Sequence, residues 1–177
     1  EREPALGGHM AQLSKTFPDL DPAFPSLHSK VLEVERHPKI RLLCYSELAD
    51  VKGYVGNFDL TIRKKATFVD WEKCNGCGRC IEDCPVEYVS EFEKGIGVRK
   101  AIDRLYPDSV PNKPLIRHDH CRYFLDGSCK RCQEICPEQA IDFNQQEERI
   151  EEKVGAVIVA TGYELFPKKD LGEYGYG

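Results

Sequence analysis

Several stretches of the chain carry a readable hydrophobic rhythm. Between Asn57 and Arg63, Phe58, Leu60 and Ile62 alternate with polar neighbours, a period of two that predicts a half-buried strand. Upstream, the apolar run Ile40 to Tyr45 predicts another strand, and Gly53 and Gly56 punctuate the interval as turns, so a β-meander is expected. Ser29 to Arg36 is amphipathic and predicts a short helix stopped by Pro38, after a loop holding Pro18, Pro22 and Pro25. Towards the end, Arg149 to Val154 predicts a charged strand. Val157-Ile158-Val159-Ala160, closed by Thr161-Gly162, is apolar at every position and predicts a strand buried on both faces, as in a parallel sheet.

The middle of the chain has a different character, set by cysteine. Three zones follow: residues 1–69, 70–145 and 146–177, the middle one inserted between two parts of one domain. The fold class expected is α+β. A repeat marks the middle zone as a unit, because Cys77–Pro85 matches Cys129–Pro137 at six of nine positions, and Val89 then aligns with Ile141. A duplicated half-domain is the simplest reading.

The first cysteine set is Cys74-x2-Cys77-x2-Cys80-x3-Cys84-Pro85, the run that bacterial-type ferredoxins use to hold [4Fe–4S] clusters. A cubane needs four thiolates around its corners; short spacers let one loop wrap three, while the fourth faces away. In two-cluster ferredoxins that fourth cysteine serves the other cluster. The second set, Cys121-x7-Cys129-x2-Cys132-x3-Cys136-Pro137, keeps the pattern except for a longer first spacer. The expected ligands are Cys74, Cys77, Cys80 and Cys136 for one cluster, and Cys121, Cys129, Cys132 and Cys84 for the other. A zinc-stabilised interaction module is the competing reading; the Cys-Pro ends, the three-plus-one spacing and the duplication stand against it. Gly76 and Gly78 let the backbone approach sulfur closely, whereas Ser128 and Lys130 occupy the matching places, so different potentials are expected. Cys44, outside both runs, reads as a buried structural thiol. His118 and His120 read as solvated loop residues, and Trp71 and Tyr123 as packing around the clusters.

Composition narrows the function further. The 177 residues are 41 % hydrophobic and 31 % charged, with a formal net charge of −5, which excludes a basic nucleic-acid-binding surface. Apolar runs reach about five residues, against the roughly 20 that a spanning helix needs, so direct membrane insertion is not expected. Nine cysteines, odd in number and spaced for metal, point away from a disulfide scaffold and towards a reducing, cytoplasmic setting. The carboxylates Glu147, Glu148, Glu151 and Glu152 read as a solvated charge run.

Several motifs together resemble the flavoprotein A chain family of heterodisulfide reductase. They are Glu1 to Leu13 with Thr16-Phe17-Pro18, His37-Pro38, Tyr45-Ser46-Glu47, Gly53 to Phe58, and Val154 to Glu164. The resemblance implies an FAD oxidoreductase with a two-cluster ferredoxin-like domain inserted in a Rossmann-like flavin domain. It implies that Glu1 bonds the dinucleotide ribose, that Gly7, Gly8, His9 and Met10 run beside the flavin, that Leu48 touches the adenine through its backbone, and that Ala160-Thr161-Gly162 forms a second flavin contact. It also implies electron exchange with ferredoxin and with redox subunits of the heterodisulfide reductase B and C kind, linked to a hydrogenase or formate dehydrogenase. A related flavin subunit of a quinone-interacting sulfur-metabolism complex is the neighbouring reading. The Gly-x-Gly-x-x-Gly turn that would precede Glu1 is absent, which implies a segment lying inside a flavin domain, with FAD belonging to the full-length protein. Pro22 and Pro25 stand where the family carries a Cys-x2-Cys pair, so a further cluster is expected to be missing.

Overall fold

A computed structural model describes residues 1–175; Tyr176 and Gly177, the end of the expected third zone, lie outside the described residues. Helix α1 spans Ala23–Arg36 and buries Ala23 and Val31. It starts six residues before the expected Ser29 because Pro25 falls in its first turn, where a helix leaves backbone N–H groups unpaired and proline costs nothing. It ends at His37, ahead of Pro38.

Strands β1 (Ser46–Tyr54) and β2 (Asn57–Lys64) form an antiparallel hairpin in which Tyr54 faces Asn57. Gly56 at φ 93° makes the two-residue turn with Val55. The expected strand over Ile40–Tyr45 is not formed. Tyr45 takes a left-handed φ of 55°, which breaks the extended run, and the backbone around it bonds to the first residues of the chain and to Lys65. The Tyr45 N–H donates to Glu3 O and the Ser46 N–H to Glu1 O, both at 2.9 Å. Strand character therefore starts one residue after the predicted run ends.

The chain then leaves the sheet at Lys65 and returns as a later strand, Glu148–Val154, which pairs antiparallel with β2 through Phe58–Val154 and Ile62–Ile150. Between them lie α2 (Arg79–Glu82), β3 (Glu87–Val89), β4 (Val98–Lys100), β5 (Ile102–Asp103), β6 (Leu115–Ile116), α3 (Arg122–Asp126) and α4 (Arg131–Ile135); the returning strand is β7. The three-stranded sheet thus has the order β1-β2-β7, with the cysteine-rich region entering and leaving between adjacent partners. Smaller antiparallel pairs, β3–β4 and β5–β6, and a bridge between Val69 and Ile141 complete the inserted region.

The main core sits there, not under the sheet. Val69, Ala101, Ile102, Ile116, Ala140, Ile141 and Phe143 pack with Cys80, Cys84, Cys121 and Cys132. A second cluster of Ala5, Leu105 and Tyr106 joins the start of the chain to the insert, and the Tyr106 hydroxyl donates to Leu6 O at 2.5 Å.

The apolar run Val157–Ala160 forms no strand. Ile158 and Val159 are 92 % and 76 % exposed. The paired strands among the described residues are all antiparallel, so no parallel neighbour is present to cover both faces of that run. Among the described residues no helix is long and apolar enough to cross a membrane.

Candidate iron–sulfur centres

The first thiol loop begins at a turn built by Asp70. Its side chain accepts from the N–H groups of Glu72 and Lys73 at 3.0 and 3.3 Å, and its carbonyl accepts from Cys74 N–H at 2.9 Å. Asn75 then accepts from Cys77 N–H at 3.0 Å, and Gly76 and Gly78 adopt left-handed φ values of 76° and 82°. A Cβ at Gly76 would stand 2.9 Å from Asn112 O, so both conformation and space demand glycine. Gly78 starts α2, which presents Cys80 to the interior.

Cys136, at the C-terminal end of α4, reaches the same place from the other half. Cys74, Cys77, Cys80 and Cys136 together line one cavity, walled also by Val69, Pro114, Ala140 and Ile141. The N–H groups of Gly76 and Ala140 point at Cys74 Sγ and Cys136 Sγ, each at 3.4 Å.

A second cavity is lined by Cys84, Cys121, Cys129 and Cys132, with Val86, Ala101, Ile102 and Ile116. The seven-residue excursion between Cys121 and Cys129 is α3, one helical turn that ends on Gly127 at φ 74°. Asp126 there accepts from Ser128 N–H at 2.8 Å. Tyr123 stacks on Phe143 with ring centres 3.8 Å apart, and Phe124 packs on Phe68 at 4.5 Å, so aromatic side chains back the second site. Trp71 donates to Pro114 O at 2.7 Å beside the first.

The eight thiols therefore fall into two groups of four, each drawing three from one half and one from the other. All are free, not crosslinked. Burial pushes the Cys80 and Cys132 thiols up to about 12, and neighbouring thiols add to the shift: Cys74, Cys136 and Cys77 for Cys80, and Cys121 first for Cys132. Four thiolates around an apolar cavity repel one another and lack water. A polycationic iron core is what such a donor set fits. A zinc ion would instead need sulfurs converging to about 2.3 Å from one point. Among the described residues no three His, Cys, Asp or Glu side chains make such a single-ion site.

Two contacts clamp the halves together. Arg131 grips Asp83 with two bonds of 2.7 and 3.0 Å, and Asn75 donates to Glu138 at 2.8 Å. Cys44 stands apart from both groups, buried, its thiol pushed up to about 12 by that burial. His118 is exposed. His120 is not simply solvated, because its ring stacks on Tyr88 at 3.8 Å; neither histidine lines a cavity.

The residues expected at a flavin lie elsewhere. Gly7 has φ 124°, and Gly8, His9 and Met10 open a 3-10 turn in which His9 Nδ1 and Gln12 Oε1 are 2.9 Å apart. The His9 ring packs 4.9 Å from the ring of Tyr163, which brings this segment beside the exposed Ala160-Thr161-Gly162. Glu1 and Leu48 lie near the Ser46 end of β1. Among the described residues no hydrogen bond or ring contact joins them to the other two segments.

Two residues that sequence reasoning missed are Arg104 and Lys113, whose side chains donate to the carbonyls of Gly76 and Cys74 in the first thiol loop. Their only sequence signal is the tightness of that loop, which leaves carbonyls turned outward.

Comparison with known proteins gives the same division. Residues 67–87 and 118–142 each match a 4Fe-4S binding domain, so the chain carries two such domains and two [4Fe–4S] clusters. All 177 residues are 49 % identical to an iron–sulfur A-type polypeptide of the CoB--CoM heterodisulfide reductase of Methanopyrus kandleri, covering 26 % of it. They are 44 % identical to the A-type polypeptide of the ferredoxin:CoB-CoM heterodisulfide reductase of Methanosarcina mazei, covering 22 % of it. Identity is 41 % to the A-type polypeptide of the H(2)/formate:CoB-CoM heterodisulfide,ferredoxin reductase of Methanococcus maripaludis, of which 26 % is covered. The chain thus spans about a quarter of the length of these relatives, and along its whole length it is similar to one segment of heterodisulfide reductase A polypeptides.

Proposed function

We propose that the chain is the electron-relay segment of an FAD-containing oxidoreductase of the heterodisulfide reductase A type. The observation that carries this reading is the pair of apolar cavities, each ringed by four free thiols, one of them exchanged between halves. A [4Fe–4S] cluster supplies one-electron uptake and release, needing neither proton nor substrate at the protein. The chain's own residues hold the thiols, exclude water with Val69, Ile102, Ile116 and Ile141, and tie the two sites together through Arg131–Asp83 and Asn75–Glu138. Cys74, Cys77, Cys80 and Cys136 hold one cluster; Cys84, Cys121, Cys129 and Cys132 hold the other.

The flavin contacts belong to the same proposal. Gly7, Gly8, His9 and Met10 face the flavin together with Ala160, Thr161 and Gly162, a reading supported by the packing of His9 on Tyr163. Glu1 and Leu48 contact the ribose and adenine end. Tyr106 and Leu105 link this segment to the insert. The partners are ferredoxin and further redox subunits, since the names of two relatives include ferredoxin and one includes H2 and formate. A reducing, cytoplasmic compartment suits the free thiols. No cluster is assigned to the loop of Pro22 and Pro25.

The test is direct. Full chain purified anaerobically should be brown and hold about eight irons and as much acid-labile sulfide. Colourless protein carrying zinc would contradict the proposal.

A further inference from the structure

Behind the first thiol loop stand two cations that do not line its cavity. Arg104 follows β5, and its guanidinium donates to Gly76 O at 2.5 Å. A Cβ on Gly78 would be 3.1 Å from the same nitrogen, so this guanidinium nitrogen packs against the Gly76–Gly78 turn. Lys113 Nζ donates to Cys74 O. The Arg104 Nε is buried with no hydrogen-bond partner, and no carboxylate forms an ion pair with this guanidinium among the described residues. Asp103 is the nearest acidic neighbour in sequence, and its carboxylate accepts from the Arg104 backbone N–H at 2.8 Å while lying 3.9 Å from Arg99 Nε. Arg99 in turn donates to Arg104 O at 2.6 Å. Arg79 and Glu138 line the cavity itself.

The second thiol group has cations of another kind. Arg131 is occupied by Asp83, Lys130 lies over the Tyr123 ring at 5.4 Å, and Arg122 lines the cavity. Among the described residues, no side-chain cation donates to a carbonyl between Cys121 and Cys132.

We propose that Arg104, with Lys113 beside it, is a positioning residue that shapes the first thiol loop and holds up the reduction midpoint of the cluster bound by Cys74, Cys77, Cys80 and Cys136. Reduction adds one electron, and so one negative charge, to that cluster. A fixed cation on the ligand loop, half-buried and so less screened than one in open water, favours the reduced form over the oxidised one. The proposal rests on the two-cluster reading above.

The test is a potentiometric EPR titration of the anaerobically loaded full chain, with dithionite as reductant and iron and sulfide measured on the same samples. R104Q removes the charge and keeps a polar, hydrogen-bonding side chain. It should lower one of the two one-electron midpoints by about tenfold in the equilibrium constant, ~59 mV, and leave the other in place. R104K should restore most of the shift, which a purely steric clamp would not do. D103N should move the same midpoint upward. An unmoved midpoint in R104Q, equal movement of both, or R104K behaving like R104Q would overturn the proposal. Should R104Q fail to retain the first cluster, D103N decides: a raised midpoint supports the proposal and an unchanged one overturns it. Wild-type chain without about eight irons would instead overturn the two-cluster reading, so the two failures are distinguishable.

Discussion

The two halves of the insert build the same thiol arrangement by different backbone routes. Cys80 and Cys132 sit at matching places on α2 and α4, both buried, both with thiols pushed up to about 12. Around them the halves diverge. The first loop is closed by two left-handed glycines, Gly76 and Gly78; Lys130, matching Gly78, has an ordinary φ of −131°. In the second half the missing tightness is replaced by the helical turn α3, which carries Cys121 back to the cavity. What is preserved is where the sulfurs go. The backbone that delivers them is free to differ, provided each cavity receives three thiols from one half and one from the other.

The largest way to break this symmetry is to remove a buried ligand. Cys80→Ala should cut bound iron from about eight to about four and leave the second cluster's EPR signal, while Cys132→Ala does the reverse. Loss of both clusters in either variant would show that the halves do not load independently. Next comes the glycine contrast. Gly76→Ala and Gly78→Ala should each destabilise the loaded protein by about 1–2 kcal/mol, because a side chain is strained at positive φ. Gly76→Ala should be the worse, since Asn112 O is a backbone atom. Ser128→Ala and Lys130→Ala should stay within about 0.5 kcal/mol in denaturant titrations.

The smallest effect lies where the chain leaves the sheet for the insert. Hydrogen bonds and charge from Lys65 and Arg63 hold the Glu47 carboxyl down from 4.5 to about 2. A depressed folded value means its contribution is complete above the unfolded value and is lost as pH falls towards about 2. Glu47 is solvent-screened, so the effect is small. The stability difference between wild type and E47Q should shrink between pH 6 and 3, and a difference that grows on acidification would contradict the ion-pair account. Comparing the two proteins cancels the acid lability of the clusters themselves.

The thiol sites were legible because ligand spacing is a local property of the sequence. The strands β2 and β7 were legible for a similar reason, since period two reports one covered face. Other features depend on what stands opposite. Val157–Ala160 has the composition of a buried strand, yet composition does not supply a partner. Val89 and Ile141 align in the repeat, but Ile141 bridges Val69 and is 6 % exposed, while Val89 pairs with Val98 on β4 and is 59 % exposed. The excursion after Val89 supplies that different neighbour. Arg104 and Lys113 escaped notice because their partners are backbone carbonyls, 28 and 39 residues away in sequence, which no side-chain pattern records.

One set of EPR spectra tests the exchange of Cys136 and Cys84 between halves. Cys136→Ala and Cys77→Ala should abolish the same cluster signal, although Cys136 belongs to the second motif, and Cys132→Ala should abolish the other. If Cys136→Ala removes the signal that Cys132→Ala removes and spares the one that depends on Cys77, each motif feeds its own cluster and the account is wrong.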